Sequence, residues 1–281
     1  MNVYNDRDSI SQALLPYRKH KKIGFVPTMG ALHEGHLTII KQALKQNDCV
    51  VVSIFVNPTQ FDNKADLKKY PRTLEADLSL LSTLNSKVLV FIPEASELYQ
   101  GSIVSKKYSF GKLQNEMEGK HRKGHFDGVG TVVNLLLRAI TPDNAYFGEK
   151  DFQQLQIVRK LVEIEALSVN IVGCAIVREK NGIAMSSRNK RLSPKQFEAA
   201  VLINKTLVEV KQKFDSLSIS KLNELVKERF LTSDILKTEY FVIANTKTLK
   251  TAQRKRKNNK YRAFVAVFAG EVRLIDNMAL N

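Results

Sequence analysis

The sequence predicts an α/β protein in which a doubly wound parallel-sheet domain, residues 1–184, precedes a smaller α+β domain, residues 185–281. Three observations predict it. Short apolar runs alternate with stretches of helical spacing through the first half, the pattern of strands joined by helical crossovers. The run at 49–56 is continuous and rich in β-branched residues, as suits a parallel strand buried on both faces. After about residue 184 the order changes to two helical stretches and then three strand-like runs.

Taken in order, residues 22–26 form a short apolar run that stops at Pro27. Residues 36–45 have helical spacing, with Leu37, Ile40 and Leu44 on one face. The strand at 49–56 ends at Asn57 and Pro58. A helix is predicted over 74–84, a strand over 87–91 and an apolar helix over 129–140. A strand at 145–147, a helix at 151–166 and a strand at 169–177 complete a Rossmann-like alternation. In such sheets ligands sit beyond the carboxyl ends of the strands. Ser193 and Pro194 open a helix over 195–214, a second helix covers 220–231, and strands follow at 239–243, 261–267 and 272–275. The basic segment 254–260 lies between two of those strands as a loop.

Composition narrows the function classes. Of 281 residues, 43% are hydrophobic and 26% charged, ordinary for a globular chain with a sizeable core. The first residues lack the apolar stretch of a signal peptide, and no run approaches the ~18 apolar residues of a membrane span. Cys49 and Cys174 lie inside apolar runs and are read as buried thiols, which fits a reducing cytoplasmic setting. The net charge of +16 is uneven: residues 176–281 carry 22 Lys/Arg against 10 Asp/Glu, a balance of +12. Without interleaved aromatics, that basic third reads as a solvated face attracting anionic substrates rather than a nucleic-acid platform.

Four short segments carry chemistry. The first is Met29, Gly30, Ala31, Leu32, His33, Glu34, Gly35 and His36, where a strand turns into a helix. Its glycines let a ligand approach the backbone, and a helix N-terminus favours phosphate. His33 and His36, three apart, share one face of the first turn and can donate to a phosphate that gains charge. Zinc is the weaker alternative, since neither a cysteine nor a third histidine stands nearby in sequence. The second segment holds Asn57 and Gln60, whose amides suit a substrate with a hydroxyl and a carboxylate, although Asn57 equally suits turn chemistry. The third is Gly148, Glu149, Lys150, Asp151 and Gln154. There Asp151 and Gln154 have capping-box spacing, while Lys150 suits a triphosphate. The fourth is Met185, Ser186, Ser187 and Arg188, two hydroxyls and a guanidinium that can grip phosphate oxygens.

The pairing of the first and fourth segments resembles the HIGH and KMSKS motifs of nucleotidylyl transferases. With the segments at 52–61, 70–73, 124–129 and 147–154 in the same order, nearly the whole chain resembles the pantothenate synthetase (pantoate–β-alanine ligase) family of that adenylylating superfamily. One departure is Lys123, where the family pattern has proline. The resemblance implies ATP as co-substrate with Mg²⁺, pantoate and β-alanine as substrates, a pantoyl-adenylate intermediate, and a homodimer. It implies His36 as proton donor beside His33, with Lys150 and Arg188 also catalytic. It places ATP on residues 29–36, on Gly148, Glu149, Lys150 and Asp151, on Val177, and on Met185 to Arg188. Gln60 and Gln154 would hold pantoate, with Asn57, Arg122 and His125 as further polar groups, and Asp77 would stand near the metal. The C-terminal domain would act as a lid. The competing expectation is a related nucleotidylyltransferase acting on another cofactor precursor.

Overall fold

The computed structural model describes residues 2–61, 64–84 and 88–281, arranged as two compact units. Unit 1 comprises Met1–Phe110, Arg122–Glu149 and Gln154–Ala175; unit 2 comprises Gly111–His121, Lys150–Gln153 and Ile176–Asn281. Two short segments of the predicted N-terminal domain, and the stretch 176–184 before its predicted boundary, thus belong to the C-terminal unit.

Unit 1 is a six-stranded parallel sheet. Its strands are β1 Asn2–Tyr4, β2 Ile23–Thr28, β3 Cys49–Ile54, β4 Val88–Phe91, β5 Asn144–Gly148 and β6 Asn170–Cys174, in the order β1-β4-β3-β2-β5-β6. The chain winds outward from β2 through β3 and β4, then returns to the other edge of β2 as β5 and β6. The crevice between the carboxyl ends of β2 and β5 is therefore the topological switch point, where sheets of this kind bind ligands. All six residues of β3 are buried, as its β-branched run requires. Cys49 and Cys174 are free buried thiols, and burial pushes both up to about 11, which leaves them un-ionised.

Two differences from the sequence pattern have clear causes. Strand β2 runs through Pro27 to Thr28 instead of stopping at Val26. Ile23 exchanges hydrogen bonds with Asp143 on the β5 side, whereas the Thr28 carbonyl accepts from the Phe55 N–H on the β3 side. By alternation Pro27 faces β5, where pairing ends at Phe25, so its missing N–H costs no ladder bond. Strand β1 has no counterpart in the sequence pattern, because three residues flanked by Asn5 and Asp6 leave no hydrophobic run long enough to read. The strand predicted from Lys87 begins in the structure at Val88; Lys87 lies outside the described residues.

Unit 2 is built on a three-stranded antiparallel sheet, β7 Leu236–Asn245, β8 Tyr261–Ala269 and β9 Val272–Ala279, in that order. One face of the central strand β8 presents Tyr261, Ala263, Val265 and Val267 to the helices Pro194–Lys213 and Ile219–Leu231, through Ile203, Leu207, Val210, Leu222 and Val226. Phe264, on its other face, packs with Met117 and Phe152 from the two inserted segments. Ser193 and Gln196 close a reciprocal capping box, and Pro194 takes the first helical position where its missing N–H is harmless. The far end of that helix is finished by Lys255, whose ammonium donates to the carbonyls of Phe214 (2.6 Å) and Asp215 (3.0 Å). Lys255, one residue of the basic 254–260 loop, is thus a helix cap. No helix among the described residues is long and apolar enough to cross a membrane.

The inserted segment 111–121 is clamped to the sheet by charge. Arg273 on β9 forks onto Glu118 (2.9 and 2.7 Å) and donates to Glu239 (3.0 and 2.6 Å), while the Tyr240 hydroxyl donates to Glu118 (2.7 Å). Burial alone would lower the Arg273 guanidinium, but its hydrogen bonds and charge pairing with Glu118 and Glu239 raise it. Burial, then the Glu118 charge, raises Tyr240 far above an ordinary phenol.

Candidate active site

The helix Glu34–Gln46 follows β2 directly, so its N-terminus opens at the switch point. Its cap is unusual in chemistry. His33 is the N-cap residue, and its Nδ1 accepts from the Gly35 N–H (3.2 Å); the His36 Nδ1 accepts from the His33 N–H (3.3 Å). Two imidazoles thus fill the places that Ser/Thr and Glu usually take in a capping box. Their ring centroids are 4.1 Å apart. An Nδ1 that accepts carries no proton, so the neutral form of each ring holds its proton on Nε2 and can donate from there. The cap fixes both tautomers.

The turn before His33 is held from a distance. Gly30 and Ala31 have positive φ (76° and 51°), which is strained for alanine. Asp77, 2% exposed, accepts from the Ala31 N–H on Oδ2 (2.8 Å) and the Leu32 N–H on Oδ1 (2.8 Å), and Thr73 Oγ1 adds a third bond (3.1 Å). A Cβ on Gly30 would stand 2.9 Å from Asp77 Oδ2, so glycine is required for this approach. Both oxygens of the carboxylate expected near the metal are therefore engaged by the loop. Glu34 is exposed and pairs with Lys41 (3.0 Å), so only its backbone belongs to the helix start.

A second cluster forms beyond β3, around the turn Pro58–Gln60. Asn57 is 1% exposed. Its Oδ1 accepts from the Tyr99 hydroxyl (2.7 Å) and from Thr59 Oγ1 (3.2 Å), and its Nδ2 donates to the Gly128 carbonyl (3.2 Å). Asn57 is thus an internal brace of the turn that carries Gln60. The helix His125–Ile140 starts four residues before the predicted 129, which puts His125 in its first turn. His125 Nδ1 lies 2.8 Å from the Gln60 carbonyl, and Arg122 Nη1 lies 3.1 Å from His125 Nε2. A carbonyl can only accept, so His125 carries its proton on Nδ1, the opposite tautomer to His33 and His36. Gly128 lets the helix pack on the turn: a Cβ there would fall 2.3 Å from the Thr59 carbonyl oxygen. Gln60, Asn57, Arg122 and His125 are brought together. Gly148 ends β5, Glu149 follows it, and Gln154 lies half-buried in the first turn of the helix Phe152–Ile164.

The remaining expected residues sit in unit 2. Lys150 and Asp151 occupy a tight turn after β5, 3.8 Å apart as an ion pair. The helix starts at Phe152, and its neighbour Gln153, 4% exposed, donates to the carbonyls of Leu113 (2.7 Å) and Glu116 (2.9 Å). Val177 and Met185 face each other across a hairpin closed by the Met185 N–H to the Val177 carbonyl (2.9 Å). Ser186 Oγ then accepts from the Arg188 N–H (3.2 Å) and caps the turn Ser187–Arg191. Sequence reasoning gave no individual role to Tyr99, Gln153, Asp276 or Asn277, which the structure ties to these segments. The one available signal was a polar pair, Asp276 and Asn277, set between the apolar residues Leu274, Ile275 and Met278 of its strand.

A doubly wound sheet with a histidine-capped helix at its switch point and a Ser-Arg turn in a second unit defines a nucleotide-handling α/β enzyme. The profile of the Pantoate-beta-alanine ligase family matches residues 2–279, and on that match the chain belongs to this family of ligases. It is 49% identical to a pantothenate synthetase of Flavobacterium psychrophilum and 50% identical to one of Christiangramia forsetii, over all of each chain. The crystal structure of pantothenate synthetase from Thermus thermophilus superposes with a TM-score of 0.92 at 36% identity, covering 100% of this chain and 99% of that one. A pantoate-beta-alanine ligase from Francisella tularensis, complexed with beta-gamma ATP and beta-alanine, superposes with a TM-score of 0.81 at 35% identity, covering 100% and 98%.

Proposed function

We propose that the named residues condense pantoate with β-alanine in two steps. A pantoate carboxylate oxygen attacks the α-phosphorus of ATP, and the bond to pyrophosphate breaks. The β-alanine amine then attacks the acyl carbon of pantoyl adenylate, loses a proton, and the carbon–oxygen bond to AMP breaks. No protein nucleophile is required, so the chain supplies position and charge stabilisation. The single observation that carries this assignment is the imidazole capping box: it holds two Nε2–H donors on one helix turn at the switch point, where phosphate charge develops.

In this account His33 and His36 donate to the phosphates, and the turn from Met29 to Leu32 with Gly35 leaves room for ATP to approach. Gly148, Glu149, Asp151, Val177, Met185, Ser186 and Ser187 contribute further ATP contacts. Lys150 and Arg188 offset the repulsion between two anionic substrates. Gln60 and Gln154 grip pantoate, while Asn57, Arg122 and His125 fix the Gln60 turn. Magnesium enters as a complex of the triphosphate, which suits an ion that usually keeps waters and takes few protein carboxylates. It would neutralise phosphate charge there; with both Asp77 oxygens on backbone amides, no protein cage is assigned to it. The enzyme acts in the cytoplasm, consistent with two unpaired buried thiols, and as a homodimer, as its family resemblance implies.

The test is one coupled assay in which ATP, Mg²⁺, pantoate and β-alanine are omitted in turn. Pyrophosphate release that needs pantoate, with AMP turnover that needs β-alanine, supports the assignment. AMP turnover indifferent to β-alanine overturns it.

A further inference from the structure

Two side chains near the end of β9 do work that the sheet itself does not need. Asp276 and Asn277 are 4% and 2% exposed. Asp276 receives the Arg178 guanidinium as a fork, Nη1 to Oδ2 (2.6 Å) and Nη2 to Oδ1 (3.0 Å). Arg178 sits in the hairpin joining Val177 to Met185, and its Nη1 also donates to the Gly182 carbonyl at the hairpin turn (3.0 Å). Asn277 Nδ2 donates to the carbonyl of Lys150 (2.9 Å), and Asn277 Oδ1 accepts from Arg262. Arg262 in turn lies over the ring of Phe152, 4.1 Å from its centre. The Asn277 N–H donates to Asp276 Oδ1 (2.7 Å), which ties the pair together.

Every one of these side-chain partners that is not Arg262 or the pair itself lies outside the sheet, on the Lys150 turn or the 177–185 hairpin. For sheet stability alone, well-packed apolar residues would serve as well as a buried ion pair. The buried polar chemistry instead joins two chain segments that each deliver a cation toward phosphate.

We propose that Asp276 and Asn277 are positioning residues, setting the Lys150 turn and the hairpin leading to Arg188 in one fixed register so that both cations meet the triphosphate together. This rests on the assignment of Lys150 and Arg188 to ATP phosphates. Neither Asp276 nor Asn277 touches substrate; each acts through the backbone it holds.

The experiment is a double-mutant cycle on pyrophosphate release, with the KM for ATP read in parallel. Asn277→Asp keeps an acceptor for Arg262 but removes the amide donor to Lys150. It is expected to slow release about 10²-fold, the scale for a misplaced group, and to raise the KM for ATP while leaving that for pantoate unchanged. In a Lys150→Ala background the same change is expected to add no further loss, because its effect passes through Lys150. Asp276→Asn with Arg188→Ala forms the parallel cycle and serves if Asn277→Asp does not fold. Losses that multiply across both cycles, or normal ATP kinetics in a folded Asn277→Asp or Asp276→Asn enzyme, overturn the inference. If Lys150→Ala and Arg188→Ala are themselves without effect, the assignment of those cations falls and the inference with it. If they are crippled while the β9 variants are normal, the inference alone falls.

Discussion

The histidine loop of unit 1 and the β9 corner of unit 2 fix their polar side chains by opposite means. The loop is largely self-made: His33 and His36 cap their own helix within three residues, and one carboxylate 46 positions from Ala31 pins the preceding turn. The β9 corner is assembled at long range, with Asp276 reaching 98 residues to Arg178 and Asn277 reaching 127 to Lys150. The first arrangement places donors wherever its helix begins. The second exists only once the C-terminal sheet has closed on the inserted segments. Damage to the Arg273 clamp of unit 2 should therefore act first through folding, damage to the loop first through chemistry, and damage to the β9 corner through the register of Lys150 and Arg188.

Four changes sharpen or break that contrast. The largest expected effect is on stability: Arg273→Ala leaves Glu118 and Glu239 without their shared cation and should destabilise the chain by about 3–5 kcal/mol. Denaturant unfolding reads it, and an unchanged midpoint would mean the clamp on segment 111–121 is not held by charge. Next, His36→Ala should slow pyrophosphate release by about 10²–10³ with little change in thermal midpoint, the cost of one transition-state donor. Near-normal release would remove His36 from the first step.

Asp77→Asn should follow, at about 10²-fold, by turning an amide N–H₂ toward backbone donors and loosening the turn. Its signature is a shift of the Ala31 and Leu32 amide resonances with an unaltered Mg²⁺ half-saturation. A raised Mg²⁺ requirement with unmoved resonances would return Asp77 to the metal. The smallest effect belongs to the surface triad formed by Glu209 with Arg229 and Lys213. Hydrogen bonds from Arg229, then Lys213, hold the Glu209 carboxyl down at about 2. Because the folded value is depressed, the contribution is present above the ordinary carboxylate value of about 4.5 and fades as pH falls toward 2. Glu209→Gln should cost only a few tenths of a kcal/mol at pH 7, about the scale of exposed pairs, and nothing once the pH lies well below the folded value. A deficit that persists there would assign it to packing.

The same contrast explains what could be read from the sequence. Strands β3 and β8 and the Pro194–Lys213 helix announce themselves through a β-branched run, an apolar run and a Ser-Pro start, because their signals are local. So does the histidine loop, whose glycines and paired imidazoles lie within seven consecutive residues. The run of β2 through Pro27 was hidden, since it depends on where pairing with β5 ends. Asn57 looked equally fit for substrate or turn, and it is the Tyr99 hydroxyl, 42 residues away, and the Gly128 carbonyl, 71 away, that make it a brace. The membership of segments 111–121 and 150–153 in unit 2 left no local trace, because it is written in the partners of Glu118, Gln153 and Lys150.

The most direct test of the whole account follows an oxygen atom. Pantoate labelled with ¹⁸O in its carboxylate is turned over once with ATP and β-alanine, and the nucleotide product is weighed. Adenylyl transfer moves one carboxylate oxygen to phosphorus, so AMP carrying one ¹⁸O is expected. Unlabelled AMP, or ADP with the label in inorganic phosphate, would contradict it.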